Sequence, residues 1–322
     1  MTGRSVCNQS RTTRSGVGVE RRGRPSYRGR VEIAPATRMG PVGLTVSDLG
    51  RSLEYWQGAI GLRVLEREDG RATLGADTPL LRFVEEPGAR PDSGHTGLYH
   101  VALLVPDRPS LARFLAHVAR EQVPLQGLSD HFVSEAIYLR DPDWHGIEVY
   151  ADRPRPVWEG QVMERMTTAP VDVENLLGEL DDPAAEPFAG LPDGTTMGHV
   201  HFRVADVEAT VAFYRDVLGM GLMAQLGPPP EVGSSGRAPV AAFLSAGGYH
   251  HHVGANTWES RGATSAPPGT ATLREATIIL PDESERDRVV AAVADAGQEP
   301  AARDGGVLVR DPSGNALWLV AA

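Results

Sequence analysis

The sequence predicts an α+β fold in which one βαβββ module occurs four times. Three observations support this prediction. A β-rich run that ends near an aspartate recurs four times, an amphipathic stretch follows each aspartate, and segments with strong turn signals close each repeat. Internal repetition of this kind constrains the architecture before any single element is assigned. The length of 322 residues is sufficient for two domains with cores of their own.

Each module opens with a strand that leads into a helix. Aspartate is a favoured N-cap because its carboxylate accepts hydrogen bonds from the free N–H groups of the first turn. After Asp206 the apolar residues keep helical spacing, since Val207, Val211, Tyr214 and Leu218 fall on one face. The four runs of strand and aspartate are residues 41–48, 100–107, 199–206 and 275–282.

Hairpin-like segments close the modules. In the second and fourth modules Asp-Pro opens the turn, at Asp141 and Asp311, and glycine closes it, a composition that tight turns favour. The third module has Gly247 at its turn, followed by three adjacent histidines at 250–252. Residues 153–196 are rich in proline and aspartate and separate the first two modules from the last two.

The N-terminal segment differs in charge from the rest of the chain. Residues 1–39 hold nine arginines and two acidic residues, which leaves 22 arginines and 40 acidic residues in 40–322, a net charge of −18. The acidic remainder argues against nucleic acid as a partner. The segment lacks hydrophobic periodicity and is predicted to be disordered. Alternatives are a basic arm that docks on an anionic surface, or an upstream extension before a natural start at Met39.

The predicted organisation follows from these boundaries. It comprises a disordered basic head (1–38), a first domain of two modules (39–152), a linker (153–196) and a second domain of two modules (197–322). No apolar run approaches the roughly 20 residues of a transmembrane helix, so no membrane partner is expected. The only cysteine is Cys7, which excludes internal disulfides and predicts a cytoplasmic protein.

The modules resemble those of the vicinal-oxygen-chelate (glyoxalase/bleomycin resistance/extradiol dioxygenase) superfamily. The resemblance rests on the repeated modules, the histidine that starts a first strand, AFYRDVLG on a helix and the closing DPSGNALWL hairpin. The segments GLYHVALLVPDR, SDHFVSEAIYLRDPDWHGIEVYADRPR, GHVHFRVAD and GGYHHHVGANTW together resemble the catechol 2,3-dioxygenase-like branch. The resemblance covers about residues 40–322. It implies two cupped, incomplete β-barrels with flanking helices. His145 departs from the family pattern, which has a small or amide turn residue there.

Residues that could bind a metal concentrate in the second and third modules. In register, the first strands carry Pro41, His100, His199 and Glu275. The closing strands of modules two and four carry Glu148 and Trp318. A divalent ion needs three or four protein ligands. We therefore prefer the pairing of module two with three and one with four, which gives one complete site. The pairing of one with two and three with four stays open.

The ligand types favour oxygenase chemistry. Two histidines and one carboxylate match the facial triad of non-heme Fe(II) oxygenases, so His100, Glu148 and His199 are the predicted ligands of Fe(II), with Mn(II) as the alternative. The resemblance implies extradiol cleavage, with a small aromatic diol and O₂ as partners, and leaves a homo-oligomer open. A glyoxalase-type metal-dependent lyase or isomerase, with a fourth protein ligand, is one alternative. A non-catalytic small-molecule-binding resistance protein, without metal ligands, is another.

The histidine triplet supplies the predicted acid/base group. In a strand His250 and His252 point to one face and His251 to the other. His252 is the first choice because it lies closest to the register of Glu148, and His250 is the second. If the inward histidine bound the metal as a fourth ligand, the isomerase alternative would gain.

Two further residues share faces with the predicted ligands. Tyr150 lies two residues after Glu148, and His201 lies two residues after His199. Because strands alternate with a period of two, both are predicted near the metal as catalytic groups. His131 lies before a strand, where it either lines the pocket or caps a turn.

Overall fold

The structure is a computed structural model that describes residues 31–227 and 240–322. All four modules are present in the predicted order. Asp48, Asp107, Asp206 and Asp282 each cap a helix, and each side chain accepts a hydrogen bond from the backbone N–H three residues later. The predicted starts of the four helices are therefore confirmed.

The elements of the first two modules follow the chain closely. Module one comprises β1 (Arg38–Val46), α1 (Leu49–Tyr55), β2 (Arg63–Glu68), β3 (Arg71–Gly75) and β4 (Pro79–Glu85), followed by the short strand β5 (Arg90–Pro91). Module two comprises β6 (Gly97–Leu104), α2 (Arg108–Arg120), β7 (Gly127–Asp130), β8 (Ser134–Arg140) and β9 (Gly146–Asp152). Helix α1 continues as a π-helical segment, Trp56–Ile60.

Short helices occupy the predicted linker, and two further modules follow. The linker helices are α3 (Arg155–Trp158), α4 (Val162–Arg165) and α5 (Val173–Leu177). Module three comprises β10 (Thr196–Arg203), α6 (Val207–Val211) with a π-helical continuation (Ala212–Val217), β11 (Gly221–Leu226), β12 (Ala241–Ser245) and β13 (Val253–Asn256). After β14 (Thr270–Ala271), module four comprises β15 (Leu273–Leu280), α7 (Glu283–Asp295), β16 (Ala301–Arg303), β17 (Gly306–Arg310) and β18 (Ala316–Ala321).

The modules pair across the two halves of the chain. One eight-stranded sheet has the order β16-β17-β18-β15-β1-β4-β3-β2, and the other has the order β11-β12-β13-β10-β6-β9-β8-β7. Antiparallel pairs of first strands join the modules, β1 with β15 and β6 with β10. The predicted α+β fold of four modules in two curled sheets is confirmed. The preferred pairing of two with three and one with four is confirmed as well. The predicted domain boundaries thus mark the order of modules along the chain, whereas each sheet combines modules from both segments.

Alternation along the central strands separates an apolar face from a polar one. Val101 and Leu103 of β6 and Ile147 and Val149 of β9 are buried in the main hydrophobic core, which also includes apolar residues of the helices. Glu148, between the two core residues of β9, faces the opposite side. The concave face of this sheet is therefore free to carry polar side chains.

The first described residues of the chain correct one prediction. Ile33 is 3% exposed, and its N–H donates to the Gly219 carbonyl over 3.0 Å. The N–H of Ala34 donates to a Glu285 carboxylate oxygen over 2.7 Å. The prediction that the head is disordered as far as residue 38 is therefore wrong from Ile33 onward. A single apolar residue anchors this stretch, and one residue carries no periodicity. Residues 1–30 lie outside the described residues.

Among residues 31–227 and 240–322, no helix is long and apolar enough to cross a membrane.

Candidate metal centre

Three predicted ligands meet on the concave face of the second sheet. The distance from His100 Nε2 to Glu148 Oε2 is 3.0 Å, and that from His199 Nε2 to the same oxygen is 3.2 Å. The two Nε2 atoms lie 3.3 Å apart. Of the described residues, these three form the cluster whose side chains could hold a metal ion together.

The strand registers bring these side chains together from distant parts of the chain. His100 on β6 lies opposite His201 on β10, in the antiparallel pair of first strands, so that His199 is close to it. On the other side β6 runs parallel to β9, where Ala102 pairs with Glu148. Three adjacent strands from modules two and three thus converge on one point.

The distances fit a metal ion. Ligand atoms about 2.1 Å from an ion and at right angles to each other lie about 3.0 Å apart. The three separations of 3.0, 3.2 and 3.3 Å are close to this value for every pair. The cluster therefore has the spacing of three ligand atoms around one ion, and its donors are two imidazole nitrogens and one carboxylate oxygen.

Electrostatics prepare the same atoms for metal binding. Burial alone would raise the pKa of Glu148, but His199 and His100 beside it hold that pKa well below its usual value. Burial lowers the pKa of His199 to about 4, against the opposing effect of Glu148. At neutral pH the carboxyl is ionised and His199 is neutral. These are the protonation states that metal coordination requires.

A cavity of about 600 Å³ opens over the cluster. This volume lies within the range of small-molecule sites. Its lining mixes aromatic and polar groups, among them Tyr99, His131, Tyr138, Phe243, His251 and Trp258. The linker also contributes, because Met166 and Thr167 form part of the wall.

The histidine that faces this cavity is His251, which the sequence did not favour. Its ring lies 4.0 Å from that of His199, centroid to centroid, and it lines the cavity. Alternation failed here because β13 begins only at Val253, so the three histidines precede the strand. Burial and the neighbouring His199 and His250 hold the pKa of His251 well below its usual value.

The two favoured histidines lie elsewhere. His252 Nδ1 lies 3.0 Å from Ser245 Oγ and accepts from the Ala246 N–H over 3.2 Å. His250 is fully buried and bonds to Asp152 through Nε2 over 2.7 Å. Neither His250 nor His252 is among the described residues that line the cavity. The structure therefore does not bring the first or second choice to the cavity.

Tyr150 is close to the cluster but behind it. Its ring centroid lies 5.0 Å from that of His199, and the residue is completely buried. A Cβ on Gly198 would collide with the Tyr150 hydroxyl, so glycine makes this position accessible to the tyrosine. The hydroxyl bonds to that of Tyr249 over 2.8 Å. Tyr150 is not among the described residues that line the cavity, so its side chain is not placed to touch a substrate there.

His201 does line the cavity, with its ring 4.9 Å from that of His100. The Asn256 side-chain amide donates to His201 Nε2 over 3.0 Å. Burial holds the pKa of His201 well below its usual value, so the ring is neutral. Because Asn256 occupies the Nε2 lone pair, that nitrogen is not available as a base or as a ligand.

Tyr138 and His131 form a further part of the site, and the sequence singled out only His131. The Tyr138 hydroxyl lies 2.7 Å from His131 Nε2, and His131 Nδ1 donates to the Thr167 carbonyl over 2.7 Å. His131 Nε2 is therefore an acceptor, and Tyr138 donates to it. Burial and Glu148 hold the pKa of Tyr138 well above its usual value. The position of Tyr138 on β8, facing β9, was the signal that could have identified it.

Comparison with known proteins agrees with this structure. The model of the Glyoxalase/Bleomycin resistance protein/Dioxygenase superfamily matches residues 38–149 and 196–319. A curated relative, the catechol-2,3-dioxygenase of Bacillus subtilis (strain 168), is 41% identical over 284 residues, which are 86% of this chain and 94% of the relative.

Solved structures show the same fold at low identity. A putative dioxygenase from Bacillus subtilis is 14% identical with a TM-score of 0.58, over 90% of this chain and 86% of that chain. Glyoxalase I from Zea mays is 16% identical with a TM-score of 0.52, over 89% of this chain and 92% of that chain. The family model covers both halves of the chain, and the curated relative covers most of its length. The resemblance seen in the sequence is thus confirmed, and the chain belongs to the glyoxalase/bleomycin resistance protein/dioxygenase superfamily.

Proposed function

We propose that this protein is a metal-dependent extradiol dioxygenase that cleaves a catechol-type ring with O₂. The observation that carries the proposal is the cluster of His100, Glu148 and His199, which faces a cavity of about 600 Å³. A relative at 41% identity named catechol-2,3-dioxygenase supports the same activity.

Fe(II) is the metal we assign, with Mn(II) as the alternative. His100 and His199 would hold the ion through Nε2 and Glu148 through a carboxylate oxygen. Two histidines and one carboxylate on one face are the ligand set of non-heme Fe(II) oxygenases, which keep other positions open. When bound, such an ion supplies Lewis acidity and redox chemistry for the two reactants.

His251 is the proposed acid/base group. Its ring lines the cavity beside His199, and its lowered pKa keeps it neutral. A neutral imidazole nitrogen accepts the proton of a catechol hydroxyl as the O–H bond breaks, and the resulting imidazolium returns that proton to an oxygen of the ring-opened product. From this position beside His199, His251 would be within reach of a substrate that lies over the three ligands.

Tyr138 is a proposed donor on the other side of the cavity. Its raised pKa keeps the hydroxyl protonated, so it can donate a hydrogen bond to a substrate oxygen when it leaves His131 Nε2. A neutral donor stabilises developing negative charge without adding a charge of its own. The rings of Tyr99, Phe243 and Trp258 complete an apolar wall that suits a flat aromatic substrate.

A glyoxalase-type isomerase would use a fourth protein ligand. Among the described residues, the ligand cluster has three members, and the Nε2 of His201 is occupied by Asn256. This composition favours the dioxygenase over the isomerase. A binding protein without a metal would have no use for three converging ligand atoms.

Two further predictions belong to this proposal. The single cysteine, Cys7, favours a cytoplasmic enzyme. A homo-oligomer stays a prediction, and light scattering after size-exclusion chromatography would measure the state directly.

The activity test uses protein purified without oxygen. We expect about one iron per chain by mass spectrometry, O₂ uptake that depends on a catechol, and a yellow ring-opened product. Chelation should abolish all activity, and added Fe(II) should restore it where Zn(II) does not. Protein that carries full Fe(II) yet consumes no O₂ with a panel of substituted catechols would contradict the proposal.

A further inference from the structure

We infer that Asp152 and His250 are positioning residues that hold His251 with its proton on Nδ1 and its Nε2 lone pair available to the cavity. The inference rests on the proposed function, because it explains how the proposed base is prepared for its task.

A continuous chain of short contacts carries the inference. Asp152 Oδ1 lies 2.7 Å from His250 Nε2, and His250 Nδ1 lies 2.8 Å from His251 Nδ1. His250 is completely buried, whereas the Asp152 side chain is 25% exposed. These contacts therefore connect a partly exposed carboxylate, through a buried imidazole, to the ring that lines the cavity.

The proton positions follow from the donor and acceptor chemistry of each group. A carboxylate only accepts hydrogen bonds, so His250 Nε2 carries a proton and donates it to Asp152. In a neutral imidazole the other nitrogen is then an acceptor, and His251 Nδ1 must be the donor in the second contact. That assignment leaves His251 Nε2 without a proton.

Packing fixes His250 in this orientation. The centroid of the Tyr249 ring lies 4.0 Å from that of the His250 ring. The centroid of the Trp158 ring lies 5.5 Å from it, in an edge-to-face arrangement. The hydroxyl of Tyr249 bonds to that of Tyr150 over 2.8 Å. A ring held on several sides has one orientation, and its two nitrogens therefore keep separate partners.

The arrangement matches the general requirement for a catalytic base. A base acts best when a third group fixes its tautomer and orientation. Here the third group is itself an imidazole, and a carboxylate fixes that imidazole in turn. Neither Asp152 nor His250 lines the cavity among the described residues, so they act through His251 and do not touch the substrate.

Two variants test the positioning role. Asp152→Ala removes the acceptor at the solvent edge, and His250→Phe keeps a ring in the pocket but removes both hydrogen bonds. In the Fe(II)-loaded enzyme we expect kcat to fall about 10- to 100-fold in each, because a misplaced base forfeits part of the roughly 10²- to 10⁴-fold effect of acid/base catalysis. KM and iron content should stay near the wild-type values. His252→Phe is the matched control. His252 belongs to the same triplet, but it takes no part in the contacts that link Asp152, His250 and His251. The kcat of this variant should be unchanged.

A spectroscopic measurement separates this inference from the proposed reaction. Long-range ¹H–¹⁵N spectra of the Zn(II)-loaded protein report which nitrogen of each histidine is protonated. We expect the Nδ1–H tautomer at His251 in the wild type and a mixture of tautomers in Asp152→Ala. The Nε2–H tautomer at His251 in the wild type would overturn the inference, as would unchanged kcat in Asp152→Ala. If no catechol is cleaved, the proposed function fails, yet the tautomer still decides the positioning role. If His250→Phe does not fold, Asp152→Ala and the spectra decide it.

Discussion

The two sheets share one topology but differ in what their concave faces carry. In the sheet of modules two and three, β6 pairs with β9 so that Ala102 lies beside Glu148. In the sheet of modules one and four, β15 pairs with β18 so that Thr277 lies beside Trp318. Glu148 thus corresponds to Trp318. His100 lies two residues before Ala102 and Glu275 lies two residues before Thr277, so these two residues also correspond.

The remaining first strands show the same replacement. His100 pairs with His201, and Glu275 pairs with Gly43. His201 therefore corresponds to Gly43. A Cβ at Gly43 would lie 2.6 Å from a Glu275 oxygen, so the glycine provides room for that carboxylate. At the positions that correspond to His100, Glu148 and His199, only Glu275 is a ligand-type residue.

Arginine takes the place of histidine around the remaining carboxylate. Arg303 Nη1 lies 3.2 Å from Glu275 Oε2, and the guanidinium groups of Arg82 and Arg303 each lie 5.1 Å from the Trp318 ring. Arginine stays protonated and has no lone pair to offer a metal. A cavity of about 310 Å³ remains there. The comparison teaches that this fold tolerates either filling, and that the choice of histidine or arginine beside one buried carboxylate decides whether a cup can hold a metal.

The largest expected effect is the loss of a ligand from the complete cup. His100→Ala should lower metal affinity by more than about 100-fold, since even partners of ligands contribute about 10- to 100-fold, and activity should disappear with the metal. Glu275→Gln, at the corresponding position of the other cup, is the control and should keep its iron. Metal content after dialysis is the measurement. Normal iron in His100→Ala would remove His100 from the ligand set.

The second effect is smaller and separates the base from its neighbours. His251→Gln should lower kcat about 10²- to 10⁴-fold because it removes acid/base catalysis, while iron stays bound. His252→Gln should leave kcat unchanged, since His252 Nδ1 is engaged by Ser245 and Ala246. Steady-state kinetics with parallel iron analysis checks both variants. Loss of iron from His251→Gln would show that His251 is a metal ligand and would favour the glyoxalase-type isomerase.

The third effect concerns the segment that ties module three to module four. A chain that begins at Met39 should be about 3 kcal/mol less stable than one that begins at Val31. It loses the burial of Ile33, about 2 kcal/mol, and the hydrogen bonds of Ile33 and Ala34, about 1 kcal/mol between them. Urea unfolding of both chains gives the difference. Ile33→Ala in the full chain should reproduce most of it, and equal midpoints would show that the segment contributes nothing.

Repetition made much of this molecule predictable. The four aspartate caps and the pairing of the modules followed from aligned repeats, because each position was observed several times in one chain. Even the unusual His145 keeps the turn: its Nδ1 donates to Asp141 over 2.9 Å, as the Asn315 amide does to Asp311 over 2.9 Å. An imidazole and an amide thus serve the same hairpin.

The parts that repetition did not cover were harder to predict. The prediction for residues 250–252 assumed a regular strand, but β13 starts later, and a shift of one residue exchanges the faces. Tyr138 lies opposite Glu148 in the ladder of β8 and β9, a position that was overlooked. The linker wall around Met166 reaches the cavity through tertiary packing, which has no local periodicity. Ile33 is a single anchor. For Met166 and Ile33 the deciding contact is with a segment distant in the sequence, whereas for residues 250–252 it is the local start of β13.

The last effect is confined to acid pH and is a pH dependence of stability in the metal-free protein. Burial, together with His250 and His199, lowers the pKa of His252 to about 4 from 6.5. Between these values the unfolded chain binds a proton that the folded chain does not, so stability falls as the pH drops from 6.5 to 4 and is fully present above 6.5. The contribution of one such group is about 3 kcal/mol. His252→Gln should therefore unfold less readily on acidification than the wild type. His199, whose pKa is also about 4, keeps part of the slope in the variant. Thermal unfolding between pH 4 and 8 measures both curves, and parallel curves for variant and wild type would show that His252 is not buried in its neutral form.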